Sequence, residues 1–267
     1  MQITFIGGGN MASAIISGLV KQPGHVIRVV EPGADKRAHL EQAYGVTALE
    51  QPPQQLSADD VVVLAVKPQQ LKDVCLALAP ALGNALVVSI AAGVGIAALA
   101  RWLGRGRIVR VMPNTPAMVG KGVSGLFAPL GLADDDRKNA AAIMAAVGKV
   151  FWLEHESGID DITAVSGSGP AYVFYFIESM IASARELGFD DATARQLVLG
   201  TFDGAVELAR QSDLDVATLR ANVTSKGGTT ERAIARFEAD GVKAAIQAGM
   251  QDCRARSVEL GQILSQD

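Results

Sequence analysis

The sequence predicts an α/β chain: an N-terminal, doubly wound sheet of the Rossmann type, followed by a C-terminal all-helical domain. Three observations predict it. Short runs rich in β-branched residues alternate with helical patterns through the first half. A glycine cluster stands directly between the first of these runs and the first helical pattern. After about residue 157 the strand signals vanish, so the expected domains are 1–157 and 158–267.

In the first half, ITFI (3–6) leads through the glycines to MASAIISGLV, and VIRVV (26–30) leads to ADKRAHLEQAY. VVVLAV (61–66) leads to QQLKDVCLAL, and ALVVSI (85–90) to GIAALARWL. RIVRVM (107–112) closes the series, and KVFWL (149–153) is a candidate last strand. Apolar runs separated by helices imply a parallel sheet covered on both faces.

In the second half, PAYVFYFIESMIASARELG (170–188) reads as a helix, with Pro170 at its first position and Gly188 past its end. DATARQLVLGTFDGAVELARQ (191–211) is a second. A third places Val242, Ile246, Met250, Cys253, Ser257, Leu260 and Leu264 on one face. The helix from Pro170 begins apolar all round, so it needs cover on every side. Two readings are open. It is the central core helix of one chain, or helices of two chains interleave in a dimer. The dimer is favoured, because residues 158–267 supply little cover of their own.

Composition excludes several function classes. Hydrophobic residues make up 49% and charged residues 19%, which leaves no case for disorder. A net charge of -4 argues against nucleic acid as a partner, since phosphate binding wants a concentrated basic surface. Cys75 and Cys253 form no CxxC pair, and His25, His39 and His155 show no metal spacing. A reduced cytoplasm and no metal are therefore expected. Residues 74–100 carry no charge, but Pro80, Gly83, Asn84, Gly93 and Gly95 break the stretch, whereas a spanning helix needs about 20 consecutive apolar residues. The first residues lack the basic start of a secretory leader, so neither leader nor membrane anchor is expected.

The chemistry begins at FIGGGNMASAI. Gly7, Gly9 and Ala12 form a GxGxxA pattern between a strand and a helix, with Asn10 and Met11 opening that helix. The first glycine permits the tight turn, the second lets a pyrophosphate approach, and the third small residue lets the helix pack. The phosphates would sit at a helix N-terminus. Glu31, at the end of the second run, stands where an acid holds the adenosine ribose of NAD, while Lys36 and Arg37 are placed to capture the 2′-phosphate of NADP. The residues alone leave this choice open. Ligands of open α/β sheets bind beyond the carboxyl ends of strands. That brings in Ala65, Val66, Lys67 and Pro68, then Ala91, Ala92 and Gly93, then Pro113 and Asn114.

A second glycine motif, NVTSKGGTTERA (222–233), opens the helical pattern ERAIARFEA. Bare amides and hydroxyls at a helix start make an anion site.

With these pieces in hand, the chain resembles the pyrroline-5-carboxylate reductases. FIGGGNMA, AVKPQ, SIAAG, RVMPNTP, GVSGL, SGSGPAY and VTSKGGTTERAI carry the resemblance, in order, over nearly the whole chain. The resemblance implies hydride transfer from NAD(P)H to the C=N bond of 1-pyrroline-5-carboxylate, giving L-proline. It implies NADPH as cofactor with NADH accepted, although Glu31-Pro32 departs from the small polar residue and basic residue of many NADPH users. It also implies homodimers with interleaved C-terminal helices, often assembled into a decamer of five dimers. The substrate loop would run from Asn222. The carboxylate would rest on the amides of Gly227, Gly228 and Thr229 with the Ser225 hydroxyl, and Lys226 would add attraction. Thr230 would reach the imine nitrogen, with an N-cap as its other reading. Glu231 reads as a solvated first-turn carboxylate, so no strong general acid is expected. Two rivals stand beside this reading. A 3-hydroxyacid dehydrogenase would need a lysine where SGSGPAYVFYF has none, and a dinucleotide-binding sensor would lack a substrate pocket.

Overall fold

The computed structural model describes residues 1–266. Its strands are β1 (Gln2–Ile6), β2 (Val26–Val30), β3 (Thr47–Leu49), β4 (Asp60–Leu64), β5 (Leu86–Ser89), β6 (Ile108–Met112), β7 (Gly122–Phe127) and β8 (Gly148–Trp152). They make one eight-stranded sheet in the order β3-β2-β1-β4-β5-β6-β7-β8. From β3 to β6 all neighbours are parallel. The strand order reverses at β1, where Ile6 lies opposite both Val30 and Leu64. The carboxyl ends of β1, β2 and β4 therefore share one edge of the sheet, the place where such folds bind ligands.

The helices of this half are α1 (Asn10–Leu19), α2 (Ala34–Tyr44), α3 (Pro68–Leu78), α4 (Ile96–Leu103) and α5 (Asp134–Ala145). Alternation along β4 shows how both faces are used. Val61 and Val63 join α1, α2 and α5 in one core, and Val62 and Leu64 join α3 and α4 in the other. Strands buried on both faces lose the polar alternation of a half-exposed sheet, which is why β4 reads DVVVL. Cys75 of α3 is buried in the second core, and that burial pushes its thiol up to about 12. It packs as a small apolar side chain, and neither cysteine is in a disulfide.

The sequence implies a parallel sheet, and here the structure differs: the sheet is mixed. β7 runs antiparallel to β6, and β8 then runs parallel to β7. β3, β7 and α5 were not foreseen. TAL is too short to show a period, GVSGLF is interrupted by glycine, and α5 is rich in alanine and aspartate with little apolar contrast.

Beyond β8 come α6 (Gly158–Ile162), a π-helical turn at Thr163–Gly167, α7 (Gly169–Glu186), α8 (Asp191–Gln211), α9 (Val216–Asn222), α10 (Thr229–Ala239) and α11 (Val242–Leu264). The chain forms two compact units. One is Met1–Pro170 with the chain from Cys253 on, and the other is Ala171–Asp252. Residues 158–170 belong to the first unit, where the end of α11 returns to them, Ser257 Oγ donating to Asp160 Oδ1 at 2.6 Å.

In the second unit α7 has no buried residue, and Tyr175 is 68% exposed. The reading of α7 as the core helix of a single chain is thereby corrected. Instead Tyr172, Tyr175, Phe176, Met180, Phe237 and Ile246 line an apolar groove of about 1040 Å³. Among the described residues no helix is long and apolar enough to cross a membrane, and no cluster of three or more His, Cys, Asp or Glu is placed to hold a metal ion.

Candidate functional site

The glycine turn is built by close approach. Gly7 has φ +102°, and a Cβ there would stand 2.9 Å from the Ala65 carbonyl oxygen at the end of β4. Only glycine satisfies both demands. Its amide donates to the Val30 carbonyl at 2.9 Å, so the turn is tied to β2 as well. Gly9 precedes α1, and its backbone borders open space, with nothing within 4 Å of a built Cβ. No side chain caps α1. Asn10 is exposed, Met11 half-buried and Ala12 buried against the sheet. An uncapped helix start facing open room fits a dinucleotide pyrophosphate.

At the end of β2 the geometry is more particular. Glu31 is only 7% exposed. Its Oε2 accepts from the Gly8 amide at 3.2 Å and its Oε1 from the Gly33 amide at 3.1 Å. Arg37 Nη1 donates to the carbonyls of Glu31 at 2.8 Å and Pro32 at 2.7 Å, and its Nη2 lies 3.8 Å from Glu50. Lys36 is exposed. The two cations that the sequence brought together thus stand differently, one engaged with backbone and one open to solvent.

Along the same edge, Ala65 and Val66 are half-buried, Lys67 is exposed, and Pro68 opens α3. Ala91 and Gly93 are buried, with Ala92 exposed between them. Pro113 and Asn114 are buried. Asn114 Oδ1 accepts from the Val123 amide at 2.8 Å, and its Nδ2 donates to the Ser166 carbonyl at 3.0 Å. Two residues that no sequence pattern marked also shape this edge. Glu156 Oε1 accepts from the Ile96 amide at 2.8 Å, capping α4 from sixty residues away, and from Arg110 Nη1 at 3.1 Å.

The second glycine motif lies in the other unit, between α9 and α10. Asn222 ends α9 and is exposed, as are Ser225, Lys226, Gly227 and Thr229. Gly228 precedes α10, which opens at Thr229, so Thr230 is a first-turn residue and not the N-cap. Thr230 is half-buried. Two of the three amides assigned to an anion are engaged within the loop. Gly228 N donates to the Ser225 carbonyl at 3.0 Å, and Gly227 N donates to Glu231 Oε2 at 2.6 Å. Glu231 is therefore a loop-binding carboxylate and not only a solvated one.

Comparison with known proteins decides the family. Residues 156–260 match the family model described as pyrroline-5-carboxylate reductase dimerisation. Residues 2–93 match the one described as NADP oxidoreductase coenzyme F420-dependent. The pyrroline-5-carboxylate reductase of Pseudomonas aeruginosa is 44% identical over 99% of this chain and 98% of its own. The chain belongs to the pyrroline-5-carboxylate reductase family. Among solved structures of that family, the Coxiella burnetii reductase superposes with a TM-score of 0.89 at 40% identity, covering 97% of each chain. The Plasmodium falciparum reductase, solved with NADP bound, superposes with a TM-score of 0.86 at 29% identity over 98% of each chain.

Sequence reasoning about this family member found the glycine turns and the strand ends. It missed Gly8, whose amide Glu31 grips, and Glu156 with Arg110. The amide of Gly8 carries no side-chain signal, and a carboxylate capping a helix from sixty residues away leaves no local pattern.

Proposed function

We propose that this chain reduces the C=N bond of 1-pyrroline-5-carboxylate to give L-proline, the closing step of proline biosynthesis, with NADPH as the preferred hydride donor and NADH accepted. The observation that carries the proposal is the 44% identity to a pyrroline-5-carboxylate reductase over 99% of the chain. A continuous match of that length includes both glycine motifs. It also weighs against a 3-hydroxyacid dehydrogenase, which would need a lysine where SGSGPAYVFYF has none; a sensor that kept the fold is separated by the turnover assay.

The chain's own residues are assigned as follows. Gly7, Gly9, Asn10 and Met11 hold the pyrophosphate at the start of α1, where the helix dipole and free amides favour an anion. The turns 65–68 and 91–93, with Pro113, line the nicotinamide end. When bound, the reduced nicotinamide supplies a hydride to the imine carbon. The Ser225 hydroxyl and the Thr229 amide receive the substrate carboxylate, with the Gly227 amide joining where Glu231 gives it up, while the Gly228 amide closes the turn on Ser225. Thr230 donates a hydrogen bond at the ring nitrogen, which takes a proton from solvent as the C=N electron pair moves onto it. The loop holds no histidine or aspartate, so positioning carries more of the acceleration than proton transfer. NADPH is favoured because a solved relative holds NADP and because Lys36 is open to solvent.

The assembly is read as a homodimer, supported by the match of residues 156–260 to a dimerisation family and by the apolar surface of α7. A decamer of five dimers, a division of labour near residue 157 and a cytoplasmic location belong to the same reading. The test is oxidation of NADPH followed at 340 nm with pyrroline-5-carboxylate, beside a 3-hydroxyacid run in reverse with NADP. Turnover of the imine is expected, and turnover of the hydroxyacid alone would overturn the proposal.

A further inference from the structure

We propose that Glu31 is a positioning residue that clamps two βα turns together, and not an acceptor for the cofactor's ribose. The proposal rests on the reading of the chain as an NAD(P)H-dependent reductase.

An acid at the end of the second strand is ordinarily placed to meet a ribose hydroxyl. Here both carboxylate oxygens face the protein's own backbone. Oε2 takes the Gly8 amide, in the turn between β1 and α1, and Oε1 takes the Gly33 amide, in the turn between β2 and α2. These are charge-assisted bonds, stronger than neutral ones. The side chain sits in a residue only 7% exposed, so little of the carboxylate is offered outward. The backbone beneath it is held from both sides. Glu31 N donates to the Leu49 carbonyl at 2.9 Å, and Arg37 Nη1 donates to the Glu31 carbonyl at 2.8 Å. Swinging the carboxylate out to a ribose would leave two amides without their acceptor, one of them in the glycine turn that has to receive the pyrophosphate. A part-buried donor stripped of its partner is costly.

The clamp changes what the acid means for specificity. A carboxylate turned outward repels a 2′-phosphate and selects NAD. One committed to two amides has its charge offset by their dipoles and leaves the ribose region to other groups. Arg37 Nη1 is committed to two carbonyls, so exposed Lys36 is the freer cation to meet a phosphate. NADPH use and an acid at position 31 are then compatible. What the acid does is fix the shape of the glycine turn, which both cofactors use alike.

The experiment titrates NADPH and NADH separately, by fluorescence and without imine, into wild type, Glu31→Ala and Glu31→Gln. In Glu31→Ala both affinities should fall by the same factor, about tenfold, because a turn no longer held by the clamp has to be ordered on binding. The ratio of the two dissociation constants should stay within about threefold of wild type. Glu31→Gln is isosteric, keeps one acceptor and secures the measurement if the alanine variant folds poorly; its loss should be smaller and again equal for both cofactors. Hydrogen exchange of peptides containing Gly8 and Gly33 should quicken in both variants, and a purely scaffolding role would lower thermal stability without moving cofactor affinity. NADH binding weakened alone, or NADPH binding strengthened, would make Glu31 the ribose acceptor and overturn the proposal. Unchanged affinity for both cofactors would overturn it as well. A wild type that binds the cofactors but leaves pyrroline-5-carboxylate unreduced would sink the reductase reading while the clamp is still measured. A wild type that binds neither cofactor would overturn both.

Discussion

Glu231 reaches back across the first turn of α10 to the amide of Gly227, Oε2 to N at 2.6 Å. A carboxylate of the chain itself therefore occupies one of the donors assigned to the substrate's carboxylate. On the proposed reading the two would compete for the same amide. An exposed bond of this kind contributes about 1 kcal/mol, so Glu231→Ala should lower the KM for pyrroline-5-carboxylate by about threefold to fivefold and change kcat little. Steady-state kinetics at saturating NADPH measures it. A raised KM would mean that Glu231 orders the loop more than it competes.

Thr230 lies within the first turn of α10, clear of the capping position held by Gly228. Its hydroxyl is thus free of a capping duty, and Thr230→Val tests chemistry alone. We expect kcat to fall by about tenfold to a hundredfold, less than at an oxyanion hole because the nitrogen takes up a proton. Thr230→Ser should keep most activity. Ser225→Ala should instead raise KM, since its proposed partner is a carboxylate that is unchanged in the reaction. Wild-type turnover by Thr230→Val would remove Thr230 from the mechanism.

Tyr175 is exposed on α7 and lines the apolar groove. In a dimer that surface is covered, and a charge placed there is stranded without a partner. Tyr175→Asp or Phe176→Asp should shift the sedimentation coefficient from dimer toward monomer at micromolar concentration. A wild type that sediments as a folded monomer would contradict the assembly.

Asp190 and Asp215 cap α8 and α9 in the same way. Each accepts from a threonine amide three residues on, Thr193 N at 3.0 Å and Thr218 N at 2.9 Å, and from that residue's hydroxyl. The backbone bonds to Thr193 and Thr218 hold these carboxyls below the usual carboxylate range. A folded-state pKa below the unfolded one adds stability above the unfolded pKa and loses it as pH falls through the folded pKa. The double variant Asp190→Ala, Asp215→Ala should therefore melt below wild type at pH 7, and the gap should close as pH is taken below about 4. Parallel melting curves from pH 7 to pH 3 give the answer, and a gap independent of pH would refute the capping account.

The parts of this molecule legible in the sequence are those with a period or a composition of their own. The runs at β1, β2, β4, β5 and β6 are long enough and apolar enough to announce themselves, and Gly7 and Gly9 carry the turn between the first of them and α1. What the sequence could not show is rotamer and partner. Position 31 was visible as an acid in the right place, but whether its carboxylate turns out to a ligand or in to Gly8 and Gly33 is decided by neighbours that come together only in the fold. The same holds for Glu156 at the start of α4 and for Glu231 on Gly227. β7 was hidden for a different reason. Its glycines weaken strand propensity, and its antiparallel pairing with β6 compensates through a ladder that no single segment reveals.

Asn114 uses both ends of its amide, accepting from Val123 and donating to Ser166. That makes it a joint whose strength hangs on the identity of one atom. In Asn114→Asp a second oxygen would stand where the donor was, facing the Ser166 carbonyl. Two acceptors would then oppose each other in a buried site, and the link between the turn after β6 and the π-helical segment would be lost. The same two hydrogen bonds hold the amide still and out of solvent, which shields this asparagine from the slow deamidation that mobile, exposed asparagines undergo.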